Sequence, residues 1–329
     1  MTLQNITIAG AGSIRCFVGG LLAYHGHAVR FLARARYVAG LTKRGGLKLT
    51  DYAGMDLTVS GPDFSDDPSI LASADVILVI VKSSATAEMG QLIAEHAKPD
   101  ALIISLQNGV GNTATLRAAL PDHDVRAGMV PFNVVEVGIA AYHRATSGDI
   151  EVGGGVLPDL NTEHLTWKSV DNIEAVQWGK LLINVGNALN ALSGITLYEQ
   201  LQDRAWRRLI ADQMAEALGI LKANNITPAK TTAAPPALIP YVLRLPTPLF
   251  KRVAAKMLTI DPTARSSMWD DLMKRRVTEI DALQGVIIEL ALRSGRPSPL
   301  NSKASDLIKH AEAASNGPPG LTVQDIVNA

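Results

Sequence analysis

Apolar and polar positions alternate between two periods along the first half of the chain. "NITIAG" at 5–10 is a short apolar run, the pattern of a buried strand. Ile14, Phe17, Val18, Leu21 and Leu22 follow at the spacing of one helix face, and Gly26 stops that helix. "AVRFLA" at 28–33 reads as the next strand. "LKLT" and "DLTVSG" flank a "DYAG" turn and predict a small hairpin. "VILVIVK" at 76–82 and "LIISLQ" at 102–107 are continuous apolar runs, as strands covered on both faces require. Strands separated by helices need crossover connections and imply a parallel sheet. Shorter strands follow "AGMVPFNV" at 127–134, among them "GDIEVGG" at 148–154.

From about residue 172 the period is helical. "IEAVQWGKLLINVGNALNAL" predicts one long helix, and "DRAWRRLIADQMAEALGILKANN" at 203–225 another that stops at Asn224–Asn225. Prolines cluster between 228 and 248 and predict a loop. "SSMWDDLMKRRVTEIDALQGVIIELALRSG" predicts a third long helix. Ser266 or Ser267 would cap it, Asp270 would lie in its first turn and Gly295 would close it. The tail "NGPPGLTVQDIVNA" reads as peripheral. The expected fold class is α/β, with an N-terminal Rossmann-like dinucleotide-binding domain over 1–168 and a C-terminal all-helical domain over 169–329.

Composition narrows the function. The 329 residues carry 31 Lys and Arg against 31 Asp and Glu, and no basic stripe stands out, which argues against nucleic acid. No apolar run has the roughly 18–20 residues of a membrane span. The opening "MTLQNITIAG" lacks a basic segment followed by an apolar one, so no signal peptide is expected. Cys16 is the single cysteine, so no internal disulfide forms, and a cytoplasmic setting is expected. The seven histidines show no metal-ligand spacing, and no metal is expected.

The stretch "AGAGSIRCFVGG" at 9–20 carries the first chemistry. Gly10 permits a tight turn after a buried strand. Gly12 lets the backbone approach a pyrophosphate at a helix N-terminus, where free N–H groups favour anions. Arg15 stands where a dinucleotide fingerprint has its third glycine. Two readings of it stand: its guanidinium reaches back to the phosphates, or it loosens the contact between helix and strand, with Gly19 supplying room one turn later. The second strand ends in "FLARAR", offering Arg34 and Arg36 where an NAD-binding chain offers an acidic residue. Arginine suits a 2′-phosphate, so NADPH is the expected cofactor.

Several motifs coincide. "GAGSI" at 10–14, "GHAVRFLAR" at 26–34, "VK" at 81–82, "QNGVG" at 107–111, "WGKLLINVGNALNAL" at 178–192 and "SSMWDDLMKRRVTEIDALQG" at 266–285 together resemble the ketopantoate reductase (2-dehydropantoate 2-reductase) family along nearly the whole chain. The resemblance implies roles. Gly10, Gly12, Ser13 and Ile14 would form the cofactor turn, Arg34 would hold the 2′-phosphate, and Lys82 and Asn108 would line the nicotinamide ribose side; Arg15 departs from the family there and is assigned to the cofactor on the reach of its side chain alone. Lys180 and Glu279 would be catalytic, with Asn184 and Ser267 binding a small 2-keto acid; Asn187, on the same helix face, is expected to join them. A second asparagine, common in the family eight residues after the lysine, is Ala188 here, flanked by Asn187 and Asn190. A homodimer is a candidate assembly.

Reducing a 2-keto acid needs a cation or proton donor where the oxyanion develops, a task suited to a partly buried Lys180. Asn184 and Asn187, at i+4 and i+7, would share its helix face. Such polar residues could instead bond a neighbouring helix. Glu279 alone could pair with Arg275 or Arg276, and Ser267 could be only a cap. The implied activity is NADPH-dependent reduction of 2-dehydropantoate to pantoate. A related D-2-hydroxy-acid dehydrogenase for another branched or bulky 2-keto acid, and a non-catalytic NADPH-binding protein, are the alternatives.

Overall fold

The computed structural model describes residues 3–10, 12–42, 45–231, 234–258 and 261–329. Ala11 and the side chain of Arg36 lie outside the described residues. The chain divides into two compact units, Met1–Glu174 and Ala175–Ala329.

The first unit is built on strands β1 (Asn5–Ala9), β2 (Ala28–Leu32), β3 (Gly46–Asp51), β4 (Asp56–Ser60), β5 (Asp63–Ser65), β6 (Val76–Val79), β7 (Leu102–Ser105), β8 (Asp124–Met129), β9 (Val134–Gly138), β10 (Ala141–Arg144), β11 (Ile150–Gly153) and β12 (Trp167–Val170). The main sheet has the order β12-β11-β8-β7-β6-β1-β2-β5. Its pairs are parallel except β8–β11. Ile8, Ile77, Leu78, Ile103 and Ile104 are fully buried, as apolar runs covered on both faces predict. The expected hairpin is β3–β4, which joins β10 and β9 in a smaller sheet of order β4-β3-β10-β9. Helices α1 (Ser13–Tyr24), α2 (Ala35–Thr42), α3 (Thr86–His96) and α4 (Asn112–Ala119) connect the strands. A domain limit at 168/169 would cut β12, which pairs with β11 through Gly153 and Val170.

The second unit is helical, from α5 (Ile173–Asn184, which starts in the first unit) through α6 (Gly186–Ser193), α7 (Leu197–Gln202), α8 (Arg204–Ala223), α9 (Ile239–Arg244), α10 (Thr247–Val253), α11 (Ser267–Met273), α12 (Val286–Arg293) and α13 (Pro299–Ala314) to α14 (Val323–Asn328). Helix α8 matches its expected span. Asp203 caps its start through Ala205 N at 2.7 Å, and Asn224 ends it.

Four sequence readings change. The first long helix breaks at Val185 into α5 and α6. The third breaks after Met273. There Arg275 takes a left-handed conformation (φ 51°), and Arg276 N donates to Asp271 O at 2.8 Å, closing α11. A new turn then starts at Thr278, whose hydroxyl accepts Ile280 N at 3.2 Å. It runs through a π-helical segment, Asp281–Gly285, into α12, and Gly295 closes it (φ 62°) as expected. The proline-rich segment contains α9 and α10, each with proline in its first turn, where the missing N–H removes no helical bond. The tail is docked: Ile326 is buried, and Leu321 N donates to Leu192 O at 2.8 Å.

Candidate active site

The parallel order β7-β6-β1-β2 brings the loops after four adjacent strands to one edge of the sheet. These loops carry Asn108, Lys82, the Gly10–Gly12 turn and Arg34. Ligands of open α/β sheets bind at such carboxyl ends. Gly10 sits at φ 131°, and a Cβ there would lie 2.6 Å from the Ile80 backbone. No other residue fits that turn. Gly12 caps α1 without a side-chain cap, and a Cβ there would meet nothing within 4 Å. The first turn of α1 holds no acidic residue. Its N–H groups, flanked by half-buried Ser13 and Ile14, therefore form a cradle suited to an anion.

Arg34 is exposed, and its guanidinium has no hydrogen bond or ion pair among the described residues. Its carbonyl accepts Tyr37 N at 2.8 Å as α2 begins. Arg15 is 1% exposed. Its Nη1 donates to Leu32 O at 3.5 Å, on the carbonyl that also accepts Gly10 N at 3.2 Å. Its buried Nε has no partner among the described residues. The guanidinium is enclosed against the end of β2, beside the Gly10 turn. Gly19 supplies the close contact that position 15 cannot. A Cβ on Gly19 would lie 2.5 Å from the Phe31 ring and 2.9 Å from Ile8.

Lys82 is half-buried and caps a short 3-10 turn over Ser83–Ala85. Asn108 is half-buried in the loop after β7. A polar network, which the sequence reading missed, ties these two loops together. Ser105 donates to Gln107 Oε1 at 2.9 Å, and Gln107 Nε2 donates to Val81 O at 3.1 Å and to the Thr86 hydroxyl at 2.7 Å. That hydroxyl donates to Asn112 Oδ1 at 3.0 Å, and Asn112 Nδ2 reaches Asn108 O at 2.9 Å and Ser83 Oγ at 3.2 Å. The signal was present as Ser105 and Gln107, two polar residues closing an otherwise apolar strand.

In the helical unit, Gly179 lets the backbone at Ala229 cross α5; a Cβ would lie 2.3 Å from Ala229 O. Lys180 follows directly. It is half-buried as a residue, and burial of its ammonium pushes its pKa down to about 8. Asn184 is buried and Asn187 half-buried, and neither carboxamide has a hydrogen-bond partner among the described residues. Asn190 differs. It is fully buried, donates to Ile195 O at 3.1 Å and Gln200 Oε1 at 3.3 Å, and accepts Ser266 N at 2.9 Å. Asn190 is therefore scaffold, whereas among the described residues the Asn184 and Asn187 carboxamides are not engaged by it. Ala188, where the family's second asparagine would fall, is fully buried.

Ser266, not Ser267, caps α11. Its hydroxyl accepts Trp269 N at 3.2 Å and donates to Asn187 O at 3.1 Å. Ser267 is exposed in the first turn, and its hydroxyl has no partner among the described residues. Glu279 is half-buried just before the π-helical segment, no longer on the face of a long amphipathic helix. Among the described residues no cluster of His, Cys, Asp and Glu could hold a metal ion. No helix among them is long and apolar enough to cross a membrane.

A Rossmann-like domain followed by an all-helical domain carrying a desolvated lysine defines a class of two-domain reductases. The ketopantoate reductase PanE/ApbA domain matches residues 6–155 and its C-terminal domain matches residues 172–312, so the chain belongs to the ketopantoate reductase PanE/ApbA family. It is similar to 2-dehydropantoate 2-reductases of Halobacterium salinarum (24% identical, covering 94% of this chain and 99% of that one) and Pyrococcus horikoshii (27%, covering 95% and 99%). Among solved structures it is similar to a PanE/ApbA family ketopantoate reductase from Ralstonia eutropha JMP134, with TM-score 0.77, 26% identity and 94% and 99% coverage. A D-mandelate dehydrogenase solved with NADH and anilino(oxo)acetate has the same TM-score, 0.77, at 20% identity and with 94% and 99% coverage, and shares the fold.

Proposed function

We propose that the chain reduces 2-dehydropantoate to pantoate with NADPH. The observation that carries this is the division among the polar residues of the helical unit. Asn190 and Ser266 are consumed by the scaffold, while Asn184 and Asn187, four and seven positions after Lys180, and Ser267, at the start of α11, present groups unengaged among the described residues, as a ligand site requires and a helix–helix contact does not.

The residues of the first unit fit a nicotinamide dinucleotide. The open Gly12 cradle suits its pyrophosphate, and Arg34 suits a 2′-phosphate in the place of an acidic ribose partner. Lys82 and Asn108 are assigned to the nicotinamide ribose side. Arg15 contributes packing here rather than a phosphate contact. When bound, NADPH supplies the hydride. Lys180, protonated, donates to the substrate carbonyl oxygen and stabilises the charge that develops there. Its lowered pKa makes the ammonium a better proton donor than an ordinary lysine at neutral pH. Asn184, Asn187 and Ser267 orient the keto acid, and Glu279 accepts a hydrogen bond from a substrate hydroxyl.

A second reading, reduction of another branched or bulky 2-keto acid, is favoured by one observation: Ala188 leaves a methyl group where the family's second asparagine would stand. Steady-state turnover of a panel of 2-keto acids with NADPH and NADH separates the readings. The proposal expects the highest kcat/KM for 2-dehydropantoate with NADPH. A higher value for an aryl or longer-chain 2-keto acid transfers the assignment to the second reading.

A further inference from the structure

Lys180 and Asn184 on one side, and Glu279 on the other, lie on elements that local helical bonding does not connect. Helix α5 stops at Asn184, and α6 starts at Gly186. Glu279 follows the break after α11. The Gln284 side chain spans the gap. Gln284 is 0% exposed, and its Nε2 donates to the carbonyl of Val185, the residue of the α5–α6 junction, at 2.6 Å across 99 positions of sequence. Its Oε1 is buried without a hydrogen-bond partner among the described residues. The amide is therefore held by this single contact.

The local backbone gives the contact its consequence. Gln284 belongs to the π-helical segment Asp281–Gly285, five positions after Glu279. A π turn accommodates one extra residue and rotates the chain on its N-terminal side relative to the helix on its C-terminal side. The bond to Val185 fixes that rotation against the junction of the lysine helix.

The geometry points to Gln284 as a positioning residue: its hydrogen bond to the Val185 carbonyl, at the junction that ends the Lys180–Asn184 helix, sets the placement of Glu279 relative to Lys180. This deepens the proposed function and rests on it. Gln284 touches no reacting group in this account. It acts through the two elements it joins.

The test compares wild type with Gln284→Met, which keeps the length but removes the donor, and Gln284→Asn, which keeps the amide but withdraws it by one methylene. Each folded variant is assayed well below its melting temperature. The expected result is a loss of about tenfold in kcat/KM for 2-dehydropantoate, the scale on which small displacements of reacting groups act. NADPH dissociation should stay at the wild-type value, and the alkaline limb of kcat/KM should move upward as the lysine surroundings admit water. Wild-type kcat/KM and an unmoved limb in either folded variant would overturn the assignment. Lys180→Ala is measured alongside. If it retains turnover, the proposed function fails. If it is inactive while Gln284→Met and Gln284→Asn are normal, only the role of Gln284 fails.

Discussion

The Arg15 guanidinium meets the Leu32 carbonyl at 3.5 Å inside a residue environment that is 1% exposed, and no carboxylate accompanies it among the described residues. A hydrogen bond of that length contributes little, while enclosing a cation without a counter-charge costs several kcal/mol. Desolvation wins. Arg15→Met should therefore stabilise the protein by about 1 kcal/mol or more, read as a raised melting temperature. NADPH affinity should stay near wild type in a fluorescence titration, because the guanidinium faces the strand. A large loss of NADPH affinity would return Arg15 to the phosphates.

Arg34 occupies the opposite situation, exposed after β2 and unengaged among the described residues. Hydrogen bonds to charged groups contribute roughly 1.5–3 kcal/mol, so Arg34→Ala should raise the KM for NADPH by about tenfold or more. The KM for NADH should hardly move. Equal losses for both cofactors would show that Arg34 shapes the turn instead of reading the 2′-phosphate.

Asn184 and Asn190 lie six positions apart and should respond differently. Asn184→Ala removes a carboxamide with no partner among the described residues. It should raise the KM for the keto acid and leave the melting temperature close to wild type. Asn190→Ala strips three hydrogen bonds from a fully buried site, including the one to Ser266 N. Leaving such groups unpaired costs about 1–3 kcal/mol each, so its melting temperature should fall by several degrees. Calorimetry and steady-state kinetics on the two variants check the division.

Much of the cofactor half was legible because its determinants are local. A glycine turn after an apolar strand, a hairpin around "DYAG" and two continuous apolar runs each announce themselves within a few residues. The helical half was legible in its lengths but not in its breaks. Apolar periodicity runs through Val185 and through residues 274–279, yet the chain breaks at both places. One break coincides with a contact to Gln284, 99 positions away; the other rests on a left-handed Arg275 and on Glu312, which accepts Thr278 N at 2.6 Å. No local pattern encodes such partners. For the same reason Asn187 and Asn190 look alike in the sequence, and only Ser266 and its neighbours distinguish scaffold from candidate ligand.

Lys180 offers a direct test of the account. Its pKa is about 8 against the ordinary 10.5, so between these values the unfolded chain binds the extra proton and stability should rise with pH through this window. Activity should run the other way, because reduction needs the protonated ammonium. The decisive measurement is the pH dependence of kcat/KM for 2-dehydropantoate reduction with NADPH, in wild type and Lys180→Ala. Wild type should show a plateau at neutral pH and a fall through about pH 8, and Lys180→Ala a large loss of rate with no such limb and with NADPH binding retained. Wild-type rates in Lys180→Ala, or the same alkaline limb in both proteins, would contradict it.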